Sequence, residues 1–145
     1  IAEIPRGSTR WNQANVDLET FQRYFGARPG SHRRIFLYHV ESDGTLPEAP
    51  ESRPSVSVKS RNFRFELGAA SGLAYPDRGR PIAVFVKIAA RVFIYRLLMP
   101  NDPDYPIIER FLASNAIALP NRMRRIQVKA AQLQAAWPNS PLWAK

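Results

Sequence analysis

Cysteine is absent from this 145-residue chain, which excludes a disulfide framework and a thiolate metal site and is compatible with a reducing cytoplasm, the expected location. Histidine is scarce. Only His32 and His39 titrate near neutral pH when unperturbed, and neither belongs to a His-x-Lys pair, a zinc-ligand spacing or a nucleophile triad. No apolar run approaches the roughly 20 residues of a membrane-spanning helix, and no signal-peptide core is visible. Carboxylates are few, 12 against 21 Lys and Arg. They do not cluster with Lys as a Mg²⁺-dependent nuclease centre requires: no Glu-x-Lys or Asp-x-Lys triplet follows Asp77, and only Glu109 and Arg110, on an expected helix, follow Asp104. Nor does a Gly-rich phosphate cradle precede a helix at the required spacing. No catalytic residue, metal ligand or cofactor is read from the sequence.

What is abundant is arginine. It accounts for 17 of the 21 basic residues, with Lys only at positions 59, 87, 129 and 145, and the formal charge is +9. A polyanion is the expected partner, and guanidinium forks favour planar, bidentate recognition over diffuse attraction. The basic residues are interleaved with apolar strands rather than gathered in one run, which implies a folded basic surface. Length and a hydrophobic content of 45% suit a single domain over residues 1–145 with a real core. Because the chain begins at Ile1 rather than Met, it is read as a fragment or a processed product, with room for partner domains outside it.

The most informative stretch runs from Lys59 to Leu67, Lys-Ser-Arg-Asn-Phe-Arg-Phe-Glu-Leu. On a strand, Phe63, Phe65 and Leu67 face one side and Asn62, Arg64 and Glu66 the other. Arg pairs with guanine edges, Asn with adenine, and a carboxylate accepts from cytosine, so this polar row suits base readout in a major groove. A solvated face of an amphipathic strand has the same pattern.

Elsewhere, a short strand is expected over 12–16. Asp17 caps a helix from Leu18 to about Phe25, with Leu18, Phe21 and Phe25 on its buried face and Gly26 as its stop. Residues 35–41 read as a strand, 42–45 as a turn, and 46–54, with three prolines, as a loop. Strands are expected over 55–58 and 62–67, then a Gly-containing loop to Pro81. Residues 82–88 and 91–98 form the clearest hairpin, ended by Pro100. Pro103 starts a helix that carries Ile107, Ile108, Phe111 and Leu112 to about Ala113, with Asp102 and Asp104 near its N-terminus. A basic strand over 124–128 and a helix over 130–136 follow, and Trp137 and Trp143 pack against the body. The whole reads as mainly β with peripheral helices, a barrel or sandwich.

The order of Arg6-Gly7-Ser8-Thr9-Arg10-Trp11-Asn12-Gln13-Ala14-Asn15-Val16, an early helix, and Ser60-Arg61-Asn62-Phe63-Arg64-Phe65-Glu66 resembles the DNA-binding module of bacterial restriction endonucleases of the EcoRII, BfiI and NgoFVII types. That module is similar to the plant B-three domain, a seven-stranded pseudobarrel whose two arms grip the major groove. The resemblance covers residues 1–112, the pseudobarrel core, and leaves 113–145 as a C-terminal extension packed on it. The Gly-Leu-Asn-Trp-Gly run that precedes the first arm in the NgoFVII type is missing here.

The resemblance implies sequence-specific double-stranded DNA recognition. Cleavage would lie in a separate nuclease domain or subunit of the phospholipase-D-like or Mg²⁺-dependent class. Arg10, Asn12, Gln13, Arg61, Asn62, Arg64 and Glu66 are then the base-reading candidates. Arg6, Ser8, Thr9, Lys59 and Ser60 would position phosphates, and Trp11 would pack under the first arm. Two other classes compete. An RNA or single-strand binder would use Phe63, Phe65, Tyr95 and Trp11 as stacking platforms, and a basic protein-interaction domain needs no base contact at all.

Overall fold

In the computed structural model the described residues are 1–6, 11, 13–27, 33–54, 56–57, 63–116 and 123–143. Among them the fold is mainly β, built as two sheets with few helices. Strands β1 (Ala2–Glu3), β3 (Arg34–His39), β4 (Glu51–Pro54), β7 (Ile82–Ala89) and β8 (Val92–Leu98) form a five-stranded sheet in the order β1-β7-β8-β3-β4. Its pairings are antiparallel except for the parallel pair β3 and β8. Strands β2 (Gln13–Val16), β5 (Val56–Ser57) and β6 (Phe63–Glu66) form a three-stranded antiparallel sheet in the order β2-β6-β5. Among the described residues the two sheets do not close into a barrel.

The expected hairpin over 82–98 is the centre of the molecule. Its alternation sends Ala83, Phe85, Phe93, Tyr95 and Leu97 to one face and Ile82, Val84 and Leu98 to the other, and all of them are buried. Both faces of this hairpin are therefore covered. The first face meets the small sheet through Ala14, Val16 and Phe65, together with Phe21 and Phe25. Phe25 is the hub there, with the rings of Phe65, Phe93, Tyr24 and Phe85 at 4.6, 4.8, 4.9 and 5.3 Å. The second face is covered by α1 (Tyr105–Asn115) through Ile108 and Leu112, by α2 (Ala130–Ala136) through Leu133, and by Trp137 and Leu142. Trp137 is buried and Trp143 partly so, its indole N–H donating to the Trp137 carbonyl at 2.8 Å, as expected of both.

Four local expectations need correction. Residues 51–54, read as loop, are strand β4, paired with β3 from Leu37 opposite Glu51 to Arg34 opposite Pro54. The polar sequence Glu-Ser-Arg-Pro carries no apolar alternation, so only the partner strand reveals it. Leu18, expected in the core, is 43% exposed. The segment Thr20–Tyr24 is π-helical, with Phe25 N–H donating to the Thr20 carbonyl. The wider turn keeps Phe21 and Phe25 inward and carries Leu18 off their face. Residues 124–128 form no strand; β1 is two residues long and offers them a single bridge, Ala2 to Arg125. The helix expected from Pro103 begins at Tyr105, with Pro106 in its first turn. Asp17 does cap its segment, accepting from the Thr20 N–H at 2.8 Å, and Gly26 ends it with φ +67°. A Cβ at Gly26 would lie 2.8 Å from the Arg91 side chain at the hairpin tip.

One carboxylate is buried almost completely. Glu3, 3% exposed, accepts from the Arg124 backbone N–H at 2.7 Å, from Arg124 Nε at 3.1 Å and Nη2 at 3.3 Å, and from Arg80 at 3.5 Å. Arg124 also reaches Glu109 of α1 at 3.0 Å. These bonds tie β1, α1 and the C-terminal segment together and commit the Arg124 guanidinium to structure. Truncation of Arg124 leaves the buried Glu3 with only Arg80 and the backbone N–H of residue 124, so Arg124→Ala is expected to cost about 1.5–3 kcal/mol in denaturant unfolding, the worth of hydrogen bonds to a charged group. A loss below about 1 kcal/mol would show that Glu3 is solvated in the folded state.

Candidate nucleic-acid interface

In the small sheet, β2 and β6 are antiparallel neighbours, with Gln13 opposite Glu66, Ala14 opposite Phe65, Asn15 opposite Arg64 and Val16 opposite Phe63. Two segments about 50 positions apart in the chain thus become one two-stranded ribbon. Its inner face packs Ala14, Val16 and Phe65 into the core. Phe65 is 1% exposed, and Phe63 is half-buried with its ring 5.2 Å from that of Phe21. The strand phase read from the sequence is the observed one. Gln13, Arg64 and Glu66 lie on the other side and are half-buried.

Of the base-reading candidates, Gln13, Arg64 and Glu66 are therefore brought together. Arg10, Asn12, Arg61 and Asn62 lie outside the described residues, as do Ser8, Thr9, Lys59 and Ser60. The chain enters β2 at Gln13, beside the end of β6, and enters β6 at Phe63, beside the end of β2. Arg6, the remaining phosphate candidate, is exposed, its guanidinium 5.9 Å from the centre of the Tyr75 ring, within cation–π range. Trp11 meets the same ring edge-on at 5.4 Å and donates its indole N–H to the Leu73 carbonyl at 2.7 Å. Tyr75 itself is held by its hydroxyl, which donates to the Ile4 carbonyl at 2.9 Å. Arg6 and Trp11, which flank residues 7–10, are anchored on one fixed aromatic.

Beside Glu66 lies a polar cluster that pattern reading missed. Glu51 of β4 accepts from the Gly68 backbone N–H at 2.6 Å, from the Tyr95 hydroxyl at 2.7 Å, and from Arg53 Nη2 at 3.2 Å and Nε at 3.4 Å. Arg53 Nη1 stands 3.7 Å from Glu66 Oε2. Tyr95 also accepts from the Ala69 N–H at 3.1 Å, so its oxygen is bonded on both sides. Burial, then the Glu51 carboxylate, pushes its phenol well above the usual tyrosine range. Gly68 is required here by space rather than by φ: a Cβ would lie 2.5 Å from Glu51 Oε1 and 3.1 Å from Arg53 Nη2. The Glu51 and Arg53 spacing of two was the one signal in the sequence, and it became readable only once 51–54 was known to be a strand.

Tyr95 and Trp11, two of the aromatics named as stacking platforms, are buried, as is Phe65. Among the described residues no group of three His, Cys, Asp or Glu is placed to hold a metal ion, and no helix is long and apolar enough to cross a membrane. A cavity of about 450 Å³ opens between the π-helical segment, β7 and residues 125–128, with Val16, Phe25, Phe85 and Leu133 in its wall and Lys87 and Arg125 among its polar lining. Of the described candidates, none of Arg6, Gln13, Arg64 and Glu66 lines it. The His39 ring lies 5.1 Å from that of Tyr95, tilted by 49°, with Nδ1 3.7 Å from Glu41. Burial, assisted by the Arg96 charge, lowers its pKa although Glu41 and Glu51 act in the opposite sense.

Comparison with protein-family models, with curated proteins and with solved structures finds no match to this chain.

Two outcomes follow from this geometry. Gly68→Ala forces the Glu51 carboxylate to shift from the Gly68 N–H and the buried Tyr95 hydroxyl, and should destabilise the fold by about 1–3 kcal/mol, the cost of unsatisfied buried polar groups. Unchanged unfolding would mean that the cluster tolerates a methyl group. The lowered His39 pKa means that the unfolded chain binds a proton more readily than the folded one. Stability is thus full above the ordinary histidine value of 6.5 and falls as the pH drops from there toward the lower folded value. His39→Leu should flatten that part of a stability–pH curve, and an unaltered slope would assign it to other groups.

Proposed function

We propose that this chain recognises double-stranded DNA sequence-specifically in the major groove, as the target-recognition module of a restriction endonuclease whose nuclease domain lies outside it. The observation that carries the reading is the β2–β6 register, which sets Gln13 opposite Glu66 and Asn15 opposite Arg64 and makes one ribbon of the two segments expected to be arms. A two-stranded ribbon fits the major groove, about 12 Å wide, and Arg, Gln and Glu suit its donor and acceptor code. The charge of +9 supplies the non-specific attraction to phosphates.

In this reading Arg64, Gln13 and Glu66, with Arg10, Asn12, Arg61 and Asn62, contact base edges. Arg6, Ser8, Thr9, Lys59 and Ser60 hold the backbone. The two sheets are the halves of a B-three-like pseudobarrel, and the chain itself performs no catalysis. The single-strand alternative is weaker, because Phe65, Tyr95 and Trp11 are packed in the core and offer no face to a base.

Selection from a randomised duplex library at about 150 mM salt, where weak non-specific complexes mostly dissociate, should enrich a short motif. On that motif Arg64→Ala should cost about 1–3 kcal/mol of binding while leaving random duplex nearly unaffected. Arg6→Ala should weaken both and reduce the salt slope by about one. Equal losses on both duplexes for Arg64→Ala would remove it from the base readers. Recovery without enrichment would turn the reading toward a shape-dependent or single-strand binder.

A further inference from the structure

We propose that the cavity of about 450 Å³ between the π-helical segment, β7 and residues 125–128 is a second ligand site, which takes a small amphipathic carboxylate. It goes beyond DNA reading and does not depend on it.

The cavity exists because a short spacer holds two longer walls apart. On one side of β1, Ala2 pairs with Ala83 and Glu3 with Ile82. On the other, the Glu3 N–H donates to the Arg124 carbonyl at 3.0 Å and Ala2 bridges to Arg125. β7 continues to Ala89, well past this pairing. Phe85 and Val86 then form one wall, Ile126 and Val128 the opposite one, and Phe25 of the π-helical turn closes the third side.

A further strand does not suit this gap. The Pro81 carbonyl accepts from the Ile4 N–H at 2.8 Å, and strand period places the Phe85 carbonyl on the same edge of β7. There it accepts from the Tyr24 hydroxyl at 3.0 Å. The Tyr24 ring, packed 4.9 Å from that of Phe25 and 5.3 Å from that of Phe93, therefore occupies the hydrogen-bonding position an added peptide needs. A small molecule asks nothing of that edge. Phe25, Phe85 and Leu133 give the cavity an apolar floor, and its volume lies within the range of about 300–1,000 Å³ common to small-molecule sites.

The polar side chains in the lining set the charge of the occupant. Asp17 accepts from the Thr20 N–H at 2.8 Å and from its hydroxyl at 2.9 Å, and Gln127 donates to the same hydroxyl at 3.1 Å. The Arg125 charge already acts on Asp17. Lys87 is exposed and, among the described residues, forms no ion pair. The lining side chains thus carry two positive charges against one negative, and the surplus lies at Lys87. An apolar body inside the cavity with one carboxylate beside Lys87 satisfies both features. An alkylammonium of equal length meets a like charge there.

The test titrates octanoate into the whole chain by calorimetry, with hexanoate, octan-1-ol and octylammonium alongside. Octanoate should bind saturably at one site and more tightly than octylammonium, and hexanoate, with two fewer methylenes to bury, should bind roughly tenfold more weakly. Lys87→Gln should weaken octanoate about two- to fivefold, the worth of an exposed ion pair, and leave octan-1-ol unchanged. Ala130→Trp, at an exposed lining position, should block both without replacing a core side chain, with thermal unfolding run on both variants. Should a variant not fold, NMR shift changes on adding octanoate to the unaltered chain locate the site, and they are expected at Val86, Ile126 and Val128. Absence of saturable octanoate binding, shift changes elsewhere, equal affinity for octanoate and octylammonium, or full octanoate affinity in folded Lys87→Gln overturns the proposal. Failure of the duplex selection leaves it standing.

Discussion

The hairpin β7–β8 must bury both of its faces, and the rest of the fold is arranged to satisfy that demand. Its residues alternate between Phe85, Phe93 and Tyr95 on one side and Ile82, Val84 and Leu98 on the other, so neither face can be left in water without exposing large apolar side chains. The small sheet and the π-helical segment close the first face. Helices α1 and α2 and the Trp137 segment close the second. The polar ribbon is therefore an outer surface by consequence, because its inner residues Ala14, Val16 and Phe65 are consumed in covering the hairpin.

Buried polarity links that core to the surface. Tyr95 belongs to the core by its ring and to the candidate interface by its hydroxyl, which holds Glu51. Glu51 orients Arg53, and Arg53 stands beside Glu66. Each group in this chain would be costly to bury alone, and each is satisfied by the next. The Glu3, Arg124 and Glu109 set obeys the same rule on the other side of the molecule, where it fastens the C-terminal segment. Of the arginines that gave the sequence its basic character, Arg124 and Arg96 are thus structural, the latter bonded to Asp102 and to the Val40 carbonyl.

Apolar alternation made much of this legible. The 82–98 hairpin, the inward turn of Phe65, the helix over 130–136 and the packed tryptophans could be read because burial leaves a period in the chain. Leu18 was misread because a helical period was extended through a π-helical turn. The strand over 51–54 was invisible because it lies at a sheet edge and is built from Glu, Ser, Arg and Pro, whose pattern reports no buried face. Arg53 was missed for the same reason, along with the glycine that makes room for its anchor.

By itself, the sequence determined the abundance of arginine and the phase of Phe and Arg on β6. Those are properties of residue type and local period, which a single strand already specifies. Tertiary structure alone decided which distant residues share one surface. The pairing of Gln13 with Glu66 across the ribbon and the reach of Arg53 from the neighbouring sheet depend on register and on the approach of two sheets around one hairpin. Such contacts arise between residues that leave no mark on each other's local sequence.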